Sequence, residues 1–327
     1  MDWGFILSNT ATWLIAPETI AYAIATVGLA VHFGYGGLLN FGQAGFMAIG
    51  AYGYAISILS FNLPWWVGIL VGLVASVVFA LILGLPTLRL RADYLAIVTI
   101  AAAEVVRLLF NSTVFDEYTN SADGLGGYHE GFRAANPIPP GTYGFGPFRF
   151  NEQDWWIRLF GIAILILAIL VVWLLMRSPW GRVVKGIRED EDAVRALGKN
   201  VFSFKMQVLI LGGCLGSLGG VVLSLPSAVV PGVYLPSLTF FLWTILLLGG
   251  AATVLGPVLG SVAFWLIMTF LSVLLPALVE AGLLPFMSSV QAGILRFILV
   301  GVALMLIVIF RPQGFLGNKK ELTFNAR

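Results

Sequence analysis

The sequence predicts an all-α, polytopic transmembrane helix bundle of about nine spans, within a range of about eight to ten. Its N-terminus is expected outside, its C-terminus in the cytoplasm, and one short cytoplasmic helix between spans. Three observations predict this. Hydrophobic residues make up 59% of the chain and charged residues 10%, against roughly 25% charged in a soluble domain, and mean hydropathy is +0.95. The apolar residues gather into runs of membrane length. The basic residues gather in the links between alternate runs.

A span needs about 20 mainly apolar residues. Such runs fall at 12–32, 40–60, 65–86, 93–110, 156–176, 205–225, 238–250, 255–275 and 290–310. Two of them are atypical: residues 34–55 are rich enough in glycine to form a broken or re-entrant segment, and 238–250 is short. The start of the chain lacks a basic stretch and a small-residue cleavage site, so no removable leader is expected.

Basic residues favour the cytoplasmic side. Arg177, Arg182, Lys185, Arg188, Arg195 and Lys199 therefore put the 177–204 loop inside. Counting spans from there also puts Arg89 and Arg91 inside, together with Arg311, Lys319 and Lys320. The 111–155 loop then falls outside, with six acids against Arg133 and Arg149. Its Gly, Pro and aromatic residues predict an ordered cap, a lid or a docking surface for an external partner. Residues 1–327 read as one transmembrane domain carrying these two loops.

The inner loop is a dense island: ten of the chain's 34 charged residues lie in Arg177–Asn200. Trp180, Val183, Val184 and Ile187 recur at helical spacing. The acids Glu189, Asp190, Glu191 and Asp192 predict a helix start near Asp190. Val194 and Leu197 give that helix an apolar edge, Arg195 and Lys199 lie at its negative end, and Gly198 is a natural stop. A plain solvated loop needs no such start and stop chemistry, whereas a lever seated in a partner's cleft does.

The segment GRVVKGIREDEDAVRALGKN resembles the cytoplasmic loop of bacterial ABC importer permeases. There an EAA-type motif is followed four residues later by glycine. Here Asp192, Ala193, Val194 and Gly198 keep the register but read D-A-V. The wider chain resembles the branched-chain amino acid permease group, in particular its LivM-type half. GYGGLLNFGQAGFMAIGAY, LRLRADYLAIVTIAAAEVVRLL, LLLGGAATVLGPVLGS and FRPQGFLG carry that likeness nearly end to end. The resemblance implies ATPase coupling through Arg188, Glu189, Asp190, Asp192, Ala193, Arg195 and Gly198. It implies two ATP-binding subunits, which use ATP and Mg, a second related permease and an extracytoplasmic solute-binding protein, in the bacterial inner membrane. Branched-chain or other neutral amino acids are the implied solutes, and urea or short amides the alternative within the group.

No nucleotide-binding G-x-x-x-x-G-K-[ST] occurs, and His32, His129 and Cys214 make no metal cluster. The chain is expected to bind no cofactor or nucleic acid and to catalyse nothing alone. Asn40, Gly42, Gln43 and Gly45 lie in the Gly-rich stretch, where a break at membrane depth can line a solute path or simply allow close packing. Gly212, Gly216 and Gly220 share one helix face, and Gly256 and Gly260 repeat the spacing, as in tightly packed membrane helices. Glu104 and Arg107, three apart, form a pair or else expose Glu104 to the path. Arg296 reads as an interfacial anchor, and Arg89, Arg91 and Asp93 as an inner entrance. An ion-coupled secondary transporter acting alone, with Glu104 as its proton site, is the rival reading.

Overall fold

The computed structural model describes residues 2–88, 92–281, 287–310 and 313–317. Arg89, Arg91, Arg311, Lys319 and Lys320 lie outside the described residues, as does the Asp93 side chain.

The chain is helical almost throughout. Helix α1 (Trp3–Thr12) is followed by one 3-10 turn and by α2 (Pro17–Leu29), which Pro17 starts without wasting a backbone donor. Helix α2 runs on into a π-helical stretch, Ala30–Tyr35. After a break come α3 (Gln43–Leu59), α4 (Trp65–Thr87) and α5 (Ala92–Phe110). The cap holds the short α6 (Asp116–Thr119), α7 (Glu130–Ala134) and a two-stranded hairpin, Thr142–Tyr143 with Phe150–Asn151. Helix α8 (Glu152–Arg177), the island helices α9 (Pro179–Glu189) and α10 (Glu191–Ala196), α11 (Val201–Ser224), α12 (Pro236–Gly249), α13 (Gly256–Glu280) and α14 (Ser289–Phe310) complete the chain.

Each apolar run read from the sequence is helical, but their lengths differ. Helices α4, α8, α11 and α13 are long and apolar enough to cross a membrane. Two bent pairs bring the number to six: Trp3–Ile15 with Pro17–Tyr35, bent by 43°, and Tyr94–Phe110 with Thr113–Thr119, bent by 55°. Helices α3 and α12 have 17 and 14 residues, or about 25 and 21 Å at 1.5 Å per residue, short of a hydrocarbon core of about 30 Å. The structure thus gives a multi-pass membrane protein with four to six full-length candidate spans among the described residues.

Helix α11 is the central post. Of its most apolar window 67% is buried, against 33%, 28% and 22% for α4, α8 and α13. It packs on α2, α3 and α4 through small residues. A Cβ at Gly220 would stand 1.9 Å from the Met47 carbonyl oxygen, and one at Gly50 2.3 Å from that of Ser217. Such backbone contact is how helices gain packing energy where lipid offers no hydrophobic drive. Gly256 and Gly260 do the same between α13 and the end of α12, where a Cβ at Gly260 would meet the Ile245 carbonyl at 2.2 Å.

The 111–155 segment is ordered and attached to the core. Leu125 and Val229 exchange both backbone hydrogen bonds, at 2.8 and 2.9 Å. The Tyr128 hydroxyl lies 2.7 Å from the carbonyls of Ser224 and Ser227. Phe132 packs edge-on to Trp65 and stacks on Trp156, whose indole donates to the Phe132 carbonyl at 3.0 Å.

Candidate functional site

Two regions hold most of the residues singled out by sequence. The first is the break between the π stretch and α3. Asn40 and Gln43 are completely buried there, as are His32 and Thr99. The Asn40 carboxamide oxygen accepts from the Gly42 amide at 2.7 Å, which fixes which way round the Asn40 group sits. Its Nδ2 therefore donates, to Gln43 Oε1 and to His32 Nδ1, both at 3.0 Å. Gln43 Nε2 donates to the carbonyls of Ala25 and Gly212, both at 3.1 Å. With Nδ1 accepting, His32 carries its proton on Nε2 and donates to the Leu209 carbonyl at 3.1 Å. The network has one consistent assignment of donors and acceptors, and it ties α2, the break and α11 together.

The glycine face of α11 makes room for it. A Cβ at Gly212 would lie 2.3 Å from His32 Nε2, and one at Gly216 2.6 Å from Gln43 Nε2. The small residues thus admit polar side chains as well as neighbouring backbone. On the other side, Gly42 and Gly45 press against Thr99 and Ala103 of α5.

The start of α3 would normally leave amides unpaired. Here Phe41 N–H donates to Thr99 Oγ1 and Ala44 N–H to Thr239 Oγ1, each at 3.0 Å, and Gly42 N–H is held by Asn40. Trp243 Nε1 donates to the Asn40 carbonyl at 3.1 Å. In this conformation the polar groups of Asn40 and Gln43 are committed to the protein. Sequence reasoning passed over His32, Thr99, Thr239 and Trp243. A lone histidine at membrane depth is itself a signal; the other three are supplied by remote helices and carry no local one.

The second region is the island. Asp190 caps α10: its Oδ1 accepts from the amides of Asp192 and Ala193, both at 3.0 Å. Gly198 ends it with φ of +76°. Lys199 N–H bonds to Val194 O and Gly198 N–H to Arg195 O, the paired bonds of a Schellman stop. Val194 is buried with Ile187 and Val201 against Val183 and Phe204, which fixes α10 to α9 and α11. Arg195 pairs with Glu191 at 2.8 Å and Asp192 at 2.7 Å, and Lys205 also pairs with Glu191. The exposed tip consists of Asp192, Ala193, Arg195 and Gly198 together with Leu197, which is 78% exposed. The apolar edge predicted for α10 is therefore divided: Val194 faces in and Leu197 faces out. Arg188 turns inward, its side chain only 12% exposed beside that of Glu189 at 64%.

The family model for the branched-chain amino acid transport system / permease component matches residues 12–309. The chain belongs to this permease family. The high-affinity branched-chain amino acid transport permease proteins LivM of Salmonella typhimurium and of Escherichia coli are each 29% identical over 326 residues, covering 96% of this chain and 72% of theirs. A probable LivM of Methanocaldococcus jannaschii is 27% identical over 341 residues, covering 92% of both chains.

In this permease the Glu104–Arg107 pair is bidentate: Arg107 Nε donates to Oε2 at 2.9 Å and Nη2 to Oε1 at 2.5 Å. The side chains are 34% and 16% exposed, so the pair is partly buried on α5. Ala103, the neighbour of Glu104, is the residue that packs on Gly45. The break and the ion pair therefore lie on adjacent sides of one helix. Among the described residues no group of three His, Cys, Asp or Glu side chains could hold a metal.

Proposed function

We propose that this permease is one membrane subunit of an ATP-driven importer for branched-chain amino acids in a bacterial inner membrane. It crosses the bilayer about nine times, with its N-terminus outside and its C-terminus in the cytoplasm, and the shorter helices α3 and α12 count as spans. Two ATP-binding subunits hydrolyse ATP with Mg and dock on the tip of α10. A second, related permease completes the membrane pair, and a solute-binding protein delivers the amino acid to the outer cap. Closure of the ATPases on ATP moves the island, and the bundle switches the side to which it opens.

The observation that carries this reading is the tip of α10. Its backbone is closed at both ends by local chemistry, its inner edge is anchored by Val194, and Leu197 is presented to solvent among charges. A large apolar side chain held rigidly at the end of a charged loop is the form of an anchor for a partner's cleft. The family match over residues 12–309 supports the substrate class.

The test is purification in mild detergent followed by mass spectrometry of the assembly, and uptake of labelled leucine, isoleucine and valine into vesicles. The expected result is an ATPase and a second permease in the assembly, and uptake that needs ATP. Recovery of the chain alone, with uptake driven by a proton gradient, would replace the importer with a secondary transporter. Glu104, partly exposed beside Arg107, is then the first residue to neutralise.

A further inference from the structure

We infer that Arg188 is a positioning residue that ties the island to the broken helix and delivers movement of the island to residues 34–42. The inference rests on the importer reading given above.

The link is built from four contacts. Arg188 Nη1 donates to the Gly34 carbonyl at 2.5 Å, across 154 residues of chain. That carbonyl belongs to the last turn of the π stretch. The preceding carbonyls, of Val31, His32 and Phe33, are taken by the amides of Gly36, Leu38 and Gly37. Arg188 thus satisfies the next carbonyl in line at a helix end. Its Nε and Nη2 simultaneously hold Glu189 Oε1, at 3.0 and 2.5 Å, so the inward-turned charge is compensated. Its stem lies on Gly37, which has φ of +66° and whose Cβ would stand 3.1 Å from Arg188 Cγ. One turn earlier on α9, the Lys185 ammonium stands over the Tyr35 ring at 5.6 Å.

Gly34 passes the load on. A Cβ there would sit 1.7 Å from the Ala251 carbonyl, so the backbone has no slack on that side. Two residues before it lies His32, and six after it Asn40, the two ends of the polar network across the break. Displacement of α9 therefore strains this network first. Only a guanidinium can hold a carbonyl and a carboxylate in one plane, and an ammonium at this site would have to choose between them.

The test uses the complete assembly in vesicles, with labelled leucine as probe and ATP hydrolysis measured alongside. Arg188→Ala should leave the ATPases bound and hydrolysing while leucine moved per ATP falls about tenfold, the effect of 1.4 kcal/mol on a coupling equilibrium. Arg188→Lys should fall between the two. Unchanged leucine per ATP in Arg188→Ala overturns the inference. So does loss of the ATPases from that variant, which would make Arg188 a docking residue.

A second variant makes the link covalent and is read only in assemblies that still hold the ATPases, because a side chain at the left-handed Gly37 is strained. Gly37→Cys with Arg188→Cys brings two Cβ positions to 3.5 Å, within disulfide range. Oxidation should restore coupling that reduction abolishes, and equal coupling in both states overturns the link. An unmodified assembly that takes up leucine without ATP sinks the importer reading and this inference together. An ATP-driven assembly insensitive at Arg188 sinks the inference alone.

Discussion

Asn40 and Gln43 hold each other by one hydrogen bond of 3.0 Å, in which the Gly42-oriented Asn40 amide sets the orientation of Gln43. Each is buried completely, and each spends its remaining polar atoms on backbone or on His32. Gln43→Leu removes three bonds at once and leaves one buried Asn40 Nδ2 hydrogen without its acceptor, while the Ala25 and Gly212 carbonyls fall back on their helical amides alone. Such an orphaned buried group costs roughly 1–3 kcal/mol. The variant should therefore unfold at clearly lower temperature in detergent, and a melting curve equal to that of the unmodified chain would refute the structural role.

Gly220 and Gly198 should respond differently to an added side chain. The Gly220 Cβ would collide with the Met47 backbone at 1.9 Å. Gly220→Ala should thus cost at least the roughly 1–3 kcal/mol of an overpacked core, read as loss of folded protein from the membrane. At Gly198 a Cβ meets nothing. Only its left-handed backbone matters, worth about 1–2 kcal/mol locally. Gly198→Val should keep the protein in the membrane and reduce uptake. Normal uptake at normal expression would count against a coupling role for α10.

Leu197 offers a cleaner test of docking, because it is exposed and bonded only through its backbone. Leu197→Asp should change the stability of the isolated chain by no more than about 0.5 kcal/mol. Retention of ATPases on purification should drop by an order of magnitude or more, as for an interface anchor. Undiminished retention would move the docking surface elsewhere on the island.

His129 gives the cap a dependence on pH. Burial, and then the Arg133 charge, lower its pKa below the ordinary 6.5. The folded cap binds this proton less readily than the unfolded chain, so stability is complete above about 6.5 and falls as pH drops below it. His129→Phe should flatten that slope. Amide exchange of residues 125–134 at several pH values would detect it, and a slope that survives the substitution would assign it to another group.

The apolar runs were legible because a bilayer demands them in composition alone, and α10 because its start and stop are set by Asp190 and Gly198 within a few residues. Span number was less legible. The short run at 238–250 did announce the 14-residue α12, but apolar composition does not reveal that α3 starts only at Gln43 and stops after 17 residues. The polar network was hidden for a different reason: Gln43 finds its partners 18 and 169 residues away. The inward contact of Arg188 was hidden for the same reason, since Gly34 is its neighbour only after folding.

The two faces of this protein are the two ends of one rod. Helix α11 begins directly after the Schellman turn of α10 and ends at Ser224, whose carbonyl the cap grips through Tyr128, with the Leu125–Val229 bridge just beyond. Over 24 residues that rod is about 36 Å long. A body that settles on the cap thus has its hand on the same shaft as one that seats on the tip of α10. News of arrival on one side reaches the other through a single stiff member.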